Sequence, residues 1–551
     1  MSSSDSPQAP PSSQAPSRRC KPRTPPKWLW IVLALIAVLV AVVRGTDVLG
    51  DHAFANIATT LLSLVAVVIL AVWFLFLSGF GRLTRLLVFV GCVASVSLLA
   101  FLFPIERLSG ELVPIFGYRF STRPDRLLQV PSADTNAPNA RVDLRTTTQD
   151  DFPGFLGPNR SDSIDHVRLA RNWADRPPKV VWRQKIGAGW SAFSVVHGHA
   201  VTMEQRGDTE MTTCYSVETG RLEWAHSTAS CYEGLAGGVG PRSTPTIDDG
   251  MVFALGARGH LACLDGATGK PVWEKDLLQE YGITLADEKA TVLWGRSASP
   301  LVAGQQVIVP IGGRKGERLV SLAAFDKRRG TLLWEGGQRQ ISYCSPALAT
   351  LGGIEQILIV NEDTVSGHDV KTGKPLWEHP RPGRTNRDPN VSQAASIAPN
   401  LVFLSNGYGL GAMLLRLDPG SDGAFKPQVV WTKPRAMKTK FTNVAIRGGY
   451  VYGLSDGILE CVDLADGLSK WKQGRYGHGQ ILQVGDLLLV LSEQGEIVLV
   501  EATPDRANNV LGRFQAIEGL TWNNLALYGP YLLVRNAEEA ACYKLPLAQQ
   551  L

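Results

Sequence analysis

Five times after residue 210 the chain repeats one short phrase: a small residue, an acid or Ser two places on, Gly four further, and Trp four beyond that. The copies are Cys214-Ser216-Gly220-Trp224, Cys263-Asp265-Gly269-Trp273, Ala324-Asp326-Gly330-Trp334, Gly367-Asp369-Gly373-Trp377 and Cys461-Asp463-Gly467-Trp471. A phrase that recurs at roughly 40–60 residues means a repeat architecture, which constrains the fold more than any single residue does. Short β-branched runs and turn residues flank each copy, so the unit reads as a four-stranded sheet and the array as the blades of a β-propeller.

Each part of the phrase has a physical reason. The acid or Ser stands just before a tight turn, where a short polar side chain bonds local backbone amides. Gly supplies the positive φ such a turn needs. Trp opens the outermost strand, where a large ring covers the joint between blades and its indole N–H seeks a partner. Trp182, Trp224, Trp273, Trp334, Trp377, Trp431 and Trp471 are therefore expected to be structural staples.

Aligning the small residues that precede each first strand gives eight units, beginning near Ser191, Ser243, Ser299, Ser345, Ala395, Thr442, Gly479 and Trp522. The eighth ends at Tyr543-Lys544-Leu545 without a fourth strand, whereas Val180-Val181-Trp182 resembles a closing strand with no strands before it. Joining the two completes the last blade from both ends of the domain and removes exposed sheet edges. The expected fold is an all-β eight-bladed propeller, residues 151–551, preceded by three transmembrane helices.

Residues 1–27 are rich in Ser, Pro and Gln and end in a basic cluster, which reads as a disordered cytoplasmic tail. Residues 28–104 hold three apolar stretches, Trp28–Val43, Ile57–Leu77 and Leu86–Phe103, against the ~20 residues that cross a bilayer core. Five basic residues precede the first, and Arg82 and Arg85 sit between the second and third. The positive-inside rule then places the N-terminus in the cytoplasm and the propeller outside. The first stretch also has the layout of a signal peptide, and its removal would not change that outcome. Residues 105–150, interrupted by Pro124, Pro131 and Pro138, read as a linker.

Composition narrows the partners. Of 55 basic and 50 acidic residues, 14 and 9 lie in residues 1–150, leaving 41 of each beyond. A neutral domain without basic runs is not a nucleic-acid binder. Cys214, Cys263, Cys461 and Cys542 share one strand position in different blades, so they are expected to fill a core slot rather than to pair. Cys214 with Cys231 is the one pair left open. No CxxC or Cys/His ligand spacing appears, so no zinc or other metal site is expected, and His197 and His199, flanking a Gly turn, are read as solvent-facing loop residues.

The phrases Asp265-Gly-Ala-Thr-Gly-Lys-Pro-Val-Trp273 and Asp369-Val-Lys-Thr-Gly-Lys-Pro-Leu-Trp377 resemble the pyrroloquinoline-quinone (PQQ)-type propeller repeat. That repeat occurs in quinoprotein alcohol and glucose dehydrogenases and in the non-enzymatic BamB-like propellers of outer-membrane protein assembly. The stretch Asp151-Phe-Pro-Gly-Phe-Leu-Gly-Pro-Asn-Arg160 resembles the opening of many exported bacterial proteins of this type. The enzymatic side of the resemblance implies PQQ with Ca²⁺ in the central funnel and an Asp as general base. This chain departs from it: no two cysteines are adjacent, no Asp/Asn/Glu cluster recurs at funnel positions, and no long inter-blade insertion is expected. The other side implies a non-catalytic platform for envelope proteins or a small ligand, anchored in the inner membrane and built as a single monomeric ring, with no cofactor expected.

The funnel is expected to be lined by residues just before and within each first strand. The candidates there are Glu204, Arg206, Tyr232, Arg242, Arg296, Tyr343, Tyr408, Lys440, Asn443, Arg475 and Trp522. Aromatic faces interleaved with Arg, Lys and Asn suit an anionic or planar ligand. The same groups also fill a polar channel by bonding one another and the backbone, and sequence alone does not choose.

Overall fold

Eight four-stranded antiparallel meanders follow one another around a ring in the computed structural model, which describes residues 24–46, 48–131, 142–234, 237–420 and 424–549. Blade 1 consists of Ser194–Val196, His199–Arg206, Thr209–Ser216 and Leu222–Thr228. Blades 2 to 7 span 246–276, 301–336, 347–380, 395–433, 444–475 and 480–515. Blade 8 takes three strands from 526–544 and its fourth from Lys179–Lys185, which pairs antiparallel with Glu539–Lys544. The eight blades and the closure by both ends of the domain are as the repeat spacing predicts.

The outer joints explain the repeated phrase. Each phrase Gly has a φ near 70° and lies flat against the Trp of the preceding blade. A Cβ on Gly220 would come 2.7 Å from the Trp182 ring, on Gly269 2.5 Å from Trp224, on Gly330 2.7 Å from Trp273 and on Gly467 2.8 Å from Trp431. Glycine is thus required twice, by the turn and by the close approach. The indole N–H groups of Trp182, Trp224, Trp273, Trp431 and Trp471 donate to backbone carbonyls of the next blade at 2.7–3.1 Å. Trp334 and Trp377 donate instead to Gln306 and Gln356 of their own blades. Before the Gly, Asp265 and Asp369 each accept from a Thr amide and hydroxyl three residues on. Blade 7 has no such Trp; Trp173, from the segment leading into the ring, is buried against Gly512 and Phe514 in its place.

Three features outside the expected outline shape the interior. The stretch read as a linker carries a β-hairpin, Ile105–Leu108 with Pro114–Phe116, and Val142 and Leu144 are buried in the core of blades 1 and 2. Residues 132–141 of that stretch lie outside the described residues. The lead-in segment crosses the ring: Phe152 bridges to Val195 of blade 1, Arg160 donates to the Ser299 and Pro346 carbonyls, and Ser163–Ile164 adds a parallel strand to blade 7. Between blades 2 and 3 stand two short helices, Leu277–Glu280 and Leu285–Thr291. All seven described cysteines, Cys214 and Cys231 included, are free.

The ring, the hairpin and Gly50–Ala53 form one compact unit, and the other described residues of 24–120 form another. The latter contains α1 (Lys27–Gly45), α2 (His52–Leu77) from its third residue on, and α3 (Arg82–Leu102), three helices long and apolar enough to cross a membrane. They match the three apolar stretches of the sequence. Residues 1–23, most of the expected tail, lie outside the described residues.

Candidate functional site

The residues that precede the first strands converge at one mouth of the ring and enclose a cavity of about 210 Å³. Its wall is an aromatic collar. Trp190 and Trp522 pack at 4.7 Å between ring centroids, Phe441 against Trp522 at 5.0 Å, and Trp294 against Tyr343 at 5.4 Å. Phe155 of the lead-in segment and Ser109, Gly110 and Leu112 of the hairpin also border it. The hairpin is held in place by Gly110 N–H to Glu493 at 2.9 Å and by Arg107 to Glu538 at 2.9 Å.

A belt of side-chain to backbone bonds joins successive blades beneath the collar. Ala192 N–H donates to Thr244, Thr244 N–H to Ser299 and Ser299 N–H to Ser345, at 2.9–3.1 Å. Two buried arginines do similar work between blades. Arg535 donates to Thr202, the Met203 carbonyl and the Gly187 carbonyl, each at 2.8 Å, and Arg381 to the Gly411 carbonyl at 2.8 Å. Burial pulls both guanidinium groups down to about 10. Small residues in front of the first strands of blades 1 to 4 are thus structural.

Of the residues singled out in the sequence, Arg242, Tyr343, Tyr408, Asn443 and Trp522 line the cavity. The other six do not. Glu204 is buried under Gly187 N–H and pairs with Arg206 at 2.8 Å. Tyr232 lies behind Arg242, its ring 4.2 Å from the guanidinium carbon. Arg296 is buried in a fork on Glu288 of the inserted helix, at 2.7 Å. Lys440 pairs with Asp51 at 2.8 Å, both buried, and Arg475 pairs with Glu111 of the hairpin at 2.9 Å. The partners of Arg296, Lys440 and Arg475 come from segments outside the repeat, which spacing within the repeat does not announce. Trp190, Phe155 and the hairpin tip were missed; only Trp190, directly before a first strand, carried a sequence signal.

Arg242 gives the cavity its polarity. It donates to the Gly240 carbonyl at 2.7 Å and to the Gly237 carbonyl, and among the described residues no carboxylate pairs with it. Burial lowers its pKa to about 10, still fully cationic at neutral pH. On the same wall, Gln480 Oε1 and Asn524 Oδ1 are buried acceptors without a partner. The arrangement accepts a flat apolar group with an anionic substituent.

PQQ with Ca²⁺ is the group that the enzymatic side of the resemblance implies here, and the donor set does not fit it. No described residue lining the cavity is Asp or Glu, whereas Ca²⁺ takes ~6–8 oxygen ligands with carboxylates among them. Glu493, behind Trp522, is spent on Trp522 Nε1, Gly110 N–H and His478 N–H. The lining thus offers neither the ion's ligands nor a carboxylate base.

Comparison with known proteins bears on the family and the fold. The sequence profile of the family described as outer membrane protein assembly factor BamB matches residues 175–473. The chain is 24% identical over 372 residues to the outer membrane protein assembly factor BamB of Shewanella oneidensis, covering 64% of this chain and 85% of that one. Among solved structures it resembles a europium-containing methanol dehydrogenase, with a TM-score of 0.56 at 11% identity over 72% of this chain and 98% of that chain. It also resembles the quinohemoprotein alcohol dehydrogenase of Comamonas testosteroni, with a TM-score of 0.53 at 14% identity over 75% and 83%. At these identities the structural likenesses establish the fold alone.

Proposed function

The chain belongs to the BamB-type propeller family, and from that premise we propose that it is a membrane-anchored, non-catalytic binding platform of the cell envelope. In this reading α1–α3 hold the ring at the inner membrane, with the N-terminus in the cytoplasm and the propeller outside, as the basic flanks of the spans favour. The ring engages envelope proteins, and its collar takes a planar or anionic group from a partner or a small ligand. The observation that carries the reading is the lining itself: an aromatic wall, a carboxylate-free Arg242 and no described acid. The relative from Shewanella, named as an assembly factor, supports the same direction.

Cross-linking in cells followed by purification of the full-length protein in detergent tests the platform. Specific envelope proteins should be recovered relative to an untagged control, and a repeatedly empty cross-linked sample would overturn the reading. Titration of the same protein with PQQ and Ca²⁺ tests the dehydrogenase alternative. Dye reduction with sugars or alcohols as substrate would replace the platform with an enzyme.

A further inference from the structure

Blade 1 differs from its sisters at two positions that face each other. In every blade the third and fourth strands are joined around a one-residue bulge, placed just before the outer-strand Trp or its counterpart. A bulge re-aims the side chain it carries. The bulged residue is aliphatic in six blades, such as Val272 in blade 2 and Leu333 in blade 3, and Lys470 in blade 6. In blade 1 alone it is an acid, Glu223, with a side chain only 6% exposed. The second difference lies on the neighbouring strand. The residue opposite the acid or Ser of the phrase is Met251 in blade 2, Gln306 in blade 3 and Gln356 in blade 4, but His199 in blade 1.

Between these two stands Cys214, in the slot that other blades fill with Cys, Ala, Gly or Leu. His199 Nδ1 lies 2.7 Å from Glu223 Oε2, Cys214 Sγ lies 3.5 Å from the same oxygen, and the three atoms fall within 4.8 Å of one another. Far from facing solvent from a loop, His199 opens the second strand of blade 1 with its side chain 18% exposed. Packing alone explains Cys214, which recurs in three other blades. It does not explain a buried acid and a His introduced together beside it, in one blade only.

We propose that His199 Nδ1, Cys214 Sγ and a Glu223 carboxylate oxygen form a binding site for Zn²⁺. One nitrogen, one sulfur and one oxygen suit this borderline-soft ion, at ~2.0–2.3 Å from each in a tetrahedral arrangement. Ligation lengthens the His–Glu separation from hydrogen-bond distance to ~3.3 Å, the gap between two ligand atoms of such an ion, a shift of about half an ångström. The thiol proton leaves to solvent as the ion binds, because the thiolate is the ligand. The fourth position opens on the exposed side of His199. Three ligands from three adjacent strands would pin blade 1 through its sheet.

The test uses the full-length, tag-free protein in detergent, titrated with Zn²⁺ and with Co²⁺ as its spectroscopic substitute. The expected results are one ion per chain, a Co²⁺–thiolate charge-transfer band, and one sulfur among nitrogen and oxygen neighbours by zinc X-ray absorption. Substitutions borrowed from sister blades keep the fold: Cys214→Ala should abolish the band, and His199→Gln and Glu223→Val should each weaken Zn²⁺ at least tenfold. The band also separates this site from His226 and His260, which meet on Glu274 Oε1 and contain no sulfur. Absence of stoichiometric uptake, a sulfur-free zinc environment, or a band that survives Cys214→Ala would overturn the proposal.

Discussion

The outer joints of the propeller and its inner mouth are built from the same eight repeats, yet they obey different rules. At the joints the indoles of all seven outer-strand Trp residues find acceptors, Trp173 at blade 7 being the exception, and the phrase glycines lie on the preceding Trp ring. At the mouth the blades present a mixed set of Trp, Tyr, Phe, Asn, Gln and Arg side chains, no described carboxylate pairs with Arg242, and the acceptors of Gln480 and Asn524 are unused. Repetition at the rim reflects a load shared by all blades. Its loss at the mouth marks where the chain is free to specialise, and buried polar groups without partners are the features that stability alone does not select.

The largest expected effect breaks the rim. Trp224→Ala removes a buried ring and its bond to the Gly266 carbonyl, and should cost about 3–5 kcal/mol, read as a fall in the midpoint of denaturant unfolding. If Arg242→Met costs as much, the distinction between rim and mouth fails.

The next effect is a pH dependence near the mouth. Glu210 is buried, accepts from Ala257 N–H at 3.2 Å, and has its pKa raised to about 7 by burial, opposed by His260, Arg242 and Arg258. The folded state therefore holds a proton that the unfolded state releases near 4.5. The group's contribution is fully present below pH 4.5 and is lost as pH rises through 7, at most about 3 kcal/mol. Unfolding measured from pH 4.5 to 8 should show this decline in the wild type and a flatter profile in Glu210→Gln.

Gly269→Ala sharpens the comparison at the rim. It places a Cβ against Trp224 at a φ of 69°, and should cost about 1–3 kcal/mol. The same change at Gly198, also at positive φ but with open space around it, should cost about 1 kcal/mol, so the difference isolates the contact. The smallest effect belongs to the mouth. Arg242→Met should shift stability by about 1 kcal/mol or less, because Gly237 keeps its bond from Trp190 Nε1, while any thermal stabilisation by an anionic aromatic ligand disappears.

The rim was legible in the sequence because one phrase encodes both a turn and a contact. From Gly220 and Trp224, with their copies, the repeat architecture followed, since positive φ and a ring-covered joint allow few other residue types; the small residues before each first strand then gave the blade number, and Val180-Val181-Trp182 the ring closure. The mouth was only half legible. Arg296, Lys440 and Arg475 carry the residue types of a ligand site, but Glu288, Asp51 and Glu111 satisfy them from an inserted helix, the Gly50–Ala53 segment and a hairpin. No spacing within the repeat announces those partners. His199, Cys214 and Glu223 were invisible for a related reason: metal spacing is sought along one strand or turn, and these three sit on three strands, aligned by a bulge.

The closing strand has a consequence for how the protein is made. Arg183 and Glu539, which clasp the last blade at 2.7 Å, are 356 positions apart. As the chain emerges from the ribosome, the strand Lys179–Lys185 appears before its partner and must wait, its edge unpaired, until Glu539–Lys544 has followed. Such long-range pairing is slow, and an unpaired edge invites other chains. The interval between the two is the period in which this protein depends most on being shielded from its neighbours.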